Sequence, residues 1–245
     1  MIAESARPTV GVASRQGQRE FLCDAAAHHR FPDDADGVLA VAVVDGISND
    51  ADVATAAYLC AENAVRIGAR WGATPGVMAA AGLLADTMSE TPSPDAVIVL
   101  AVCRPGTPVV IAHVGDCRAF GWDGTALYRH TDDHTHGARL RAHGVSEDVA
   151  ARSDRFVVTS LATTTVTTIS VCTTNDQVIV LTSDGAHKAL SDAQIAELLR
   201  EHTGDAGACA QAIVDAAHTA DPRDDATAAV IILPPPRSAE SGEGY

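Results

Sequence analysis

Short apolar runs rich in Val and Ile recur along the chain: Val38–Val44 (VLAVAVV), Ala96–Val102 (AVIVLAV), Pro108–Val114, Val178–Thr182 and Ala226–Leu233. Their length and β-branched content predict strands. Several have no alternating polar face, so both of their faces are expected to be covered. The links Arg104–Thr107 (RPGT) and Asp123-Gly124 are short and turn-forming, which predicts antiparallel hairpins. Helical signals lie between these runs. Residues 51–70 are Ala-rich and free of Gly until Gly68. Thr74-Pro75 is a cap and first-turn pair for a helix over 75–88. Ser191 and Gln194 have capping-box spacing ahead of Ile195, Leu198 and Leu199, and 206–219 reads as a further helix. Strand-rich stretches with two separated helix pairs predict an α+β fold. Its form is a four-layer αββα sandwich, two antiparallel sheets flanked by helix pairs.

Composition sharpens this picture. Aromatics make up only 4% of the chain, so Ala, Val, Leu and Ile must fill the core. The formal net charge of -15 argues against nucleic acid and anionic membranes as partners. Cys23, Cys60, Cys103, Cys117, Cys172 and Cys209 are spread without a C-x-x-C pair, several of them inside apolar stretches. They read as buried, reduced thiols. No signal-peptide pattern is evident, and no run approaches the roughly 20 apolar residues of a membrane helix. A cytoplasmic protein is expected, with a monomer as the default assembly. The domain is placed at 8–233. The tail 234–245 (PPPRSAESGEGY) is expected to be disordered, because its Pro, Gly, Ser and Glu cannot bury enough surface.

The sharpest chemical feature is an apolar strand ending in aspartate beside glycine. Val38–Val44 leads to Asp45-Gly46, Pro108–Val114 to Gly115-Asp116, and Val178–Thr182, after Ser183, to Asp184-Gly185. Asp224-Asp225 stands just before the last strand. Ordinary turn chemistry explains any one of these sites. Together, on neighbouring strands, they would gather carboxylates at one rim. Crowded carboxylates repel each other and lose hydration, which calls for cations. Hard oxygen ligands favour Mg²⁺, Mn²⁺ or Ca²⁺.

The order of motifs resembles the PPM (type 2C) metal-dependent protein serine/threonine phosphatases over residues 9–233. Gly17–Ala25 (GQREFLCDA) resembles the family's opening segment, and Val44-Asp45-Gly46 its first Asp-Gly motif. Ala112–Arg118 (AHVGDCR) resembles its Gly-Asp-Ser-Arg strand pair, and Thr131–Thr135 (TDDHT) its Asp-His segment. Leu181–Gly185 (LTSDG) resembles the second Asp-Gly motif, and Asp224–Thr227 (DDAT) the closing one. The resemblance implies hydrolysis of phosphoserine and phosphothreonine in phosphoprotein substrates, with two Mg²⁺ or Mn²⁺ ions per chain. Asp45 would bridge the ions, the Gly46 carbonyl would bind one, and Asp184 and Asp224 would complete the other site. Asp24 would hold metal-bound water, and Arg19 would grip the phosphate. Asp116 matches a ligand of a weaker third ion. The chemistry agrees: a phosphate dianion needs charge neutralisation and activated water, and a guanidinium fork matches its oxygens.

The chain departs from the family pattern at several positions. Cys23 stands where Glu is usual, and its loss is expected to weaken one metal site. Ile47 replaces a His proposed as general acid, and Ile47–Asp50 (ISND) replaces a glycine-rich continuation. Lys188 replaces an aspartate of the third site and is expected to disfavour a third ion. Asp225 replaces Asn and is expected to add negative charge. Arg139, Arg141, Arg152 and Arg155 read either as a solvated face or as a docking surface for a phosphoprotein. Two rival functions remain open. One is a pseudophosphatase serving as a binding or regulatory module. The other is a zinc hydrolase built on His130, His134 and His136 in HTDDHTH.

Overall fold

A computed structural model describes residues 7–34, 37–84 and 93–235. Most of the expected tail, from 236 on, lies outside the described residues. Among the described residues, ten strands form two five-stranded sheets. The strands are β1 (Thr9–Arg15), β2 (Asp24–Phe31), β3 (Val38–Gly46), β4 (Ala96–Cys103), β5 (Val109–Val114), β6 (Arg118–Trp122), β7 (Leu127–Arg129), β8 (Ser170–Thr174), β9 (Val178–Thr182) and β10 (Ala226–Ile232). One sheet has the order β1-β10-β9-β6-β7 and the other β2-β3-β4-β5-β8. Every pairing is antiparallel. The helices are α1 (Ala51–Trp71), α2 (Ala73–Leu84), α3 (His136–Ala142), α4 (Glu147–Ala150), α5 (Asp184–His187), α6 (Asp192–Glu201) and α7 (Ala206–Ala220).

Three apolar layers explain why the central strands lack a polar face. On β3, Ala40, Ala42 and Val44 face α1 and α2, as do Ile98, Leu100 and Val102 of β4. The alternate residues Leu39, Val41 and Val43, with Val97, Val99 and Ala101, meet Ile179, Leu181, Ala229 and Ile231 of the other sheet. The outer face of that second sheet packs through Val180, Ala228 and Val230 on Ile195 and Leu199 of α6 and Ile213 and Val214 of α7. Period-2 side-chain alternation thus sends each strand's residues into two dry layers.

The helix signals act largely as read. Asp50 caps α1 by accepting from the Asp52 and Val53 amides at 3.1 and 2.9 Å. The Ser191–Gln194 capping box opens α6. The start of α2 is a correction: it begins at Ala73, directly after Gly72 (φ +102°) ends α1. Pro75 still lies in the first turn, where its missing N–H removes no helical bond. The expected end at 85–88 falls outside the described residues. Both expected hairpins form: β4–β5 around Gly106, and β6–β7 around Asp123-Gly124. Among the described residues no helix is long and apolar enough to cross a membrane.

Candidate active site

Antiparallel pairing brings one end of both sheets together. Asp45, next to last in β3, lies directly opposite Asp24, the first residue of β2. Asp116 lies in the turn from β5 to β6, where Gly115 takes φ +91° and a side chain would collide with Val97. Asp184 follows β9 as the first residue of α5, and Asp224 precedes β10, which runs antiparallel to β9. A Cβ placed on Gly185 would sit 3.4 Å from the Asp224 Cβ, so the two acidic segments touch. The structure therefore brings Asp24, Asp45, Asp116, Asp184 and Asp224 to one rim.

Their electrostatics match that crowding. Burial, then the charges of Asp184, Asp24 and Asp116, pushes the Asp45 carboxyl well above the usual carboxylate range. The close approach of Asp184 raises Asp45 and in turn lowers Asp184, so a proton is favoured on Asp45. Burial likewise drives Asp24 up, although the Ser183 hydroxyl donates to its Oδ2 at 2.6 Å. Burial also raises Asp184, but Lys188, the neighbouring Asp45 and Arg19 outweigh it and hold that group below its ordinary value. Burial and the Asp184 charge raise Asp224 against the pull of Arg19.

Two cations already contact the rim. Arg19 Nη2 lies 2.7 Å from Asp224 Oδ1. Lys188 Nζ lies 2.6 Å from Asp184 Oδ2 and 3.1 Å from Asp116 Oδ2. Among the described residues no three His, Cys, Asp or Glu side chains close around a single point as a ready metal cage. The donor set nevertheless suits a hard divalent ion: buried and half-buried, mutually repelling carboxylates, with Asp45 held opposite Asp24 and paired with no cation among the described residues.

The loop that carries Arg19 is fastened by Asp225. Its Oδ1 accepts from the Gly17 amide at 2.9 Å and its Oδ2 from the Cys23 amide at 2.8 Å. Asp225 is buried and spends both oxygens on the loop's two ends, and its charge adds to the crowding as expected, helping to raise Asp24 and Asp224. Gln16 Nε2 donates to the Arg19 and Glu20 carbonyls at 2.8 and 2.9 Å, stiffening the same loop. Cys23 is buried, and its carbonyl accepts from the Gly46 amide at 3.0 Å. Burial pushes its thiol up, which disfavours a reactive thiolate. In the segment Ile47–Asp50, Ser48 takes φ +126°, a conformation that favours glycine.

Ser183 is a site residue that the sequence reading left without a role. Besides donating to Asp24, its Oγ accepts from the Thr227 amide at 3.0 Å, and its own amide donates to the Thr227 carbonyl. It ties β9, β10 and β2 together beneath the carboxylates. Its place directly before Asp184, at the end of an apolar strand, was the available signal.

The histidines of HTDDHTH diverge, which corrects the zinc reading. His130 Nε2 lies 2.6 Å from Asp176 Oδ2, and His134 bonds the Gly115 amide and the Ser170 hydroxyl. His136 is exposed at the first turn of α3. Beside the rim lies a cleft of about 830 Å³ lined by Arg118, Arg129, Arg139 and Arg141, among others. None of Asp45, Asp184 and Asp224 lines it, so it flanks the chemistry and does not contain it. Of the arginines expected to form a docking surface, Arg139 and Arg141 line this cleft, but Arg152 and Arg155 do not. Arg141 is committed to Glu147 and Asp154, and Arg155 stacks over the Phe156 ring.

Solved structures share this architecture across nearly the whole chain. The S. agalactiae serine/threonine phosphatase superposes with TM-score 0.79 at 17% identity, covering 93% of this chain and 100% of that one. The fold is that of the PPM serine/threonine phosphatases. The PPM Ser-Thr phosphatase MsPP from Mycobacterium smegmatis, solved with cacodylate, gives TM-score 0.74 at 20% identity over 92% of this chain and 98% of its own. The catalytic domain of the serine/threonine protein phosphatase PstP, solved with two manganese ions, gives 0.71 at 19% identity over 92% and 97%. No family model matches the sequence, and no curated protein does either. At such low identity the PPM likeness establishes the fold.

Proposed function

We propose that this chain hydrolyses phosphoserine and phosphothreonine in proteins with the help of two Mg²⁺ or Mn²⁺ ions. The observation that carries this reading is the convergence of Asp45, Asp184 and Asp224 on one rim beside Arg19. These half-buried aspartates arrive from distant parts of the chain, and their crowding costs free energy that bound cations offset. Asp45, the Gly46 carbonyl, Asp184 and Asp224 would hold the ions. When bound, such ions neutralise the phosphate and acidify water.

The chain's own residues do the rest. Arg19 donates its remaining guanidinium N–H groups to phosphate oxygens, and the Asp225-fastened loop holds it in place. Asp24, oriented by the Ser183 hydroxyl, presents an acceptor for water at the rim. The cleft beside α3 receives polypeptide flanking the phosphoresidue. The phosphatase fold of PstP and its two manganese ions support the same reading. Phosphate release from phosphoserine, phosphothreonine and phosphotyrosine peptides with Mn²⁺ tests it. Release from the first two, abolished by EDTA, is expected; no release with any divalent ion would refute it.

One observation favours a second reading, a binding module without catalysis. Lys188 and Arg19 already neutralise Asp184 and Asp224, so the rim is partly satisfied without metal. A protein that binds phosphopeptide but releases no phosphate would match that alternative.

A further inference from the structure

Lys188 contacts two carboxylates of the acidic rim, Asp116 and Asp184. It follows the last residue of α5, and its amide donates to the Asp184 carbonyl at 2.9 Å, completing the helical turn. That spacing of four residues puts its side chain on the same face as Asp184. Its ammonium then reaches 2.6 Å from Asp184 Oδ2 and 3.1 Å from Asp116 Oδ2. Asp116 keeps only 6% of its side chain exposed, and no other cation pairs with it among the described residues. A buried carboxylate with one cationic partner depends on that partner for its charge. A divalent ion bound to Asp116 and Asp184 together, with metal–oxygen distances of about 2.1 Å, would need the space where Nζ stands.

We propose that Lys188 is a tethered cation that fills the position between Asp116 and Asp184. It thereby confines divalent ions to the part of the rim built on Asp45, Asp184 and Asp224. This deepens the phosphatase reading, on which its account of the remaining ions rests. Lys188 acts through Asp116 and Asp184 and is a positioning residue. Losing the ammonium frees Asp116 to take up an ion, whereas an arginine retains the charge.

Mn²⁺ stoichiometry, from calorimetric titration of the full chain with a parallel count of free Mn²⁺ by electron paramagnetic resonance, tests this without any activity readout. Lys188→Met and Lys188→Asp are each expected to bind one Mn²⁺ more than the parent, through a weaker, separable phase. Lys188→Arg is expected to keep the parent's count. Thermal melts select the variants that fold, and either the Met or the Asp variant suffices. The same count in folded Met or Asp variants as in the parent overturns the inference, and so does an extra ion in Lys188→Arg. The parent's own count reports on the phosphatase reading: a parent that binds no Mn²⁺ sinks that reading, while the difference between variant and parent still decides the role of Lys188.

Discussion

Asp24 and Asp45 are direct cross-strand partners at the last paired position of β2 and β3. Like charges opposite one another destabilise a sheet, so this pair belongs to a site that tolerates strain for a chemical reason. The immediate relief is the Ser183 hydroxyl on Asp24 and the raised affinity of Asp45 for a proton.

Ser183→Ala removes the donor to Asp24 and the acceptor for the Thr227 amide in a buried place. We expect a loss of about 1–3 kcal/mol in unfolding free energy. Chemical denaturation with an unchanged m-value checks it. Ser183→Thr, which keeps the hydroxyl, should lose less.

Asp225→Asn replaces one accepting oxygen with an amide NH2 group, a donor facing an N–H. The loop bearing Arg19 then loses one of its two end fastenings. The expected result is a KM for phosphopeptide raised several-fold, with kcat changed less. A stability loss of about 1–2 kcal/mol should accompany it. Steady-state kinetics on one phosphopeptide separates the two constants.

The fold was legible where one physical signal dominated. β3, β4, β5, β9 and β10 announced themselves because both their faces are dry, and α6 because its capping box is local. β2 did not, because DAAAHHRF lies at a sheet edge with half of its face exposed, so no apolar run marks it. β6, β7 and β8 are short and broken by Gly, Arg and Thr. At the site, strand ends pointed to Asp45, Asp116, Asp184 and Asp224. The pairing of Arg19 with Asp224 and the fastening of Gly17 and Cys23 by Asp225 join residues some two hundred positions apart. No local pattern encodes such contacts.

Ser48 carries a side chain at φ +126°. Ser48→Gly is expected to stabilise the protein by up to about 1 kcal/mol, partly offset by the loss of its exposed bond to Asp50. Ser48→Val should destabilise it. Melting temperatures of the three proteins, compared at one pH, check the order.

Acid sensitivity should come partly from His134. Burial, then the neighbouring His113, lowers its pKa to about 4, against the pull of Asp133 and Asp132. The unfolded chain therefore takes up this proton first, and stability falls as pH drops from about 6.5 to about 4 and then levels off. His134→Gln should flatten that part of the profile by at most about 3 kcal/mol. Unfolding free energy measured across pH 4 to 7, a window set by the unfolded and folded values, shows it.

The most direct test of the two-ion account is hydrolysis of p-nitrophenyl phosphate against Mn²⁺ concentration by the parent, Asp45→Asn and Asp184→Asn. The parent should turn over only with the divalent ion. Each variant should lose at least about 100-fold in rate, and the metal-free Asp45→Asn protein should melt no lower than the parent, since a crowded, half-buried carboxylate has gone. Hydrolysis that persists without metal, or survives undiminished in Asp45→Asn, would contradict the account.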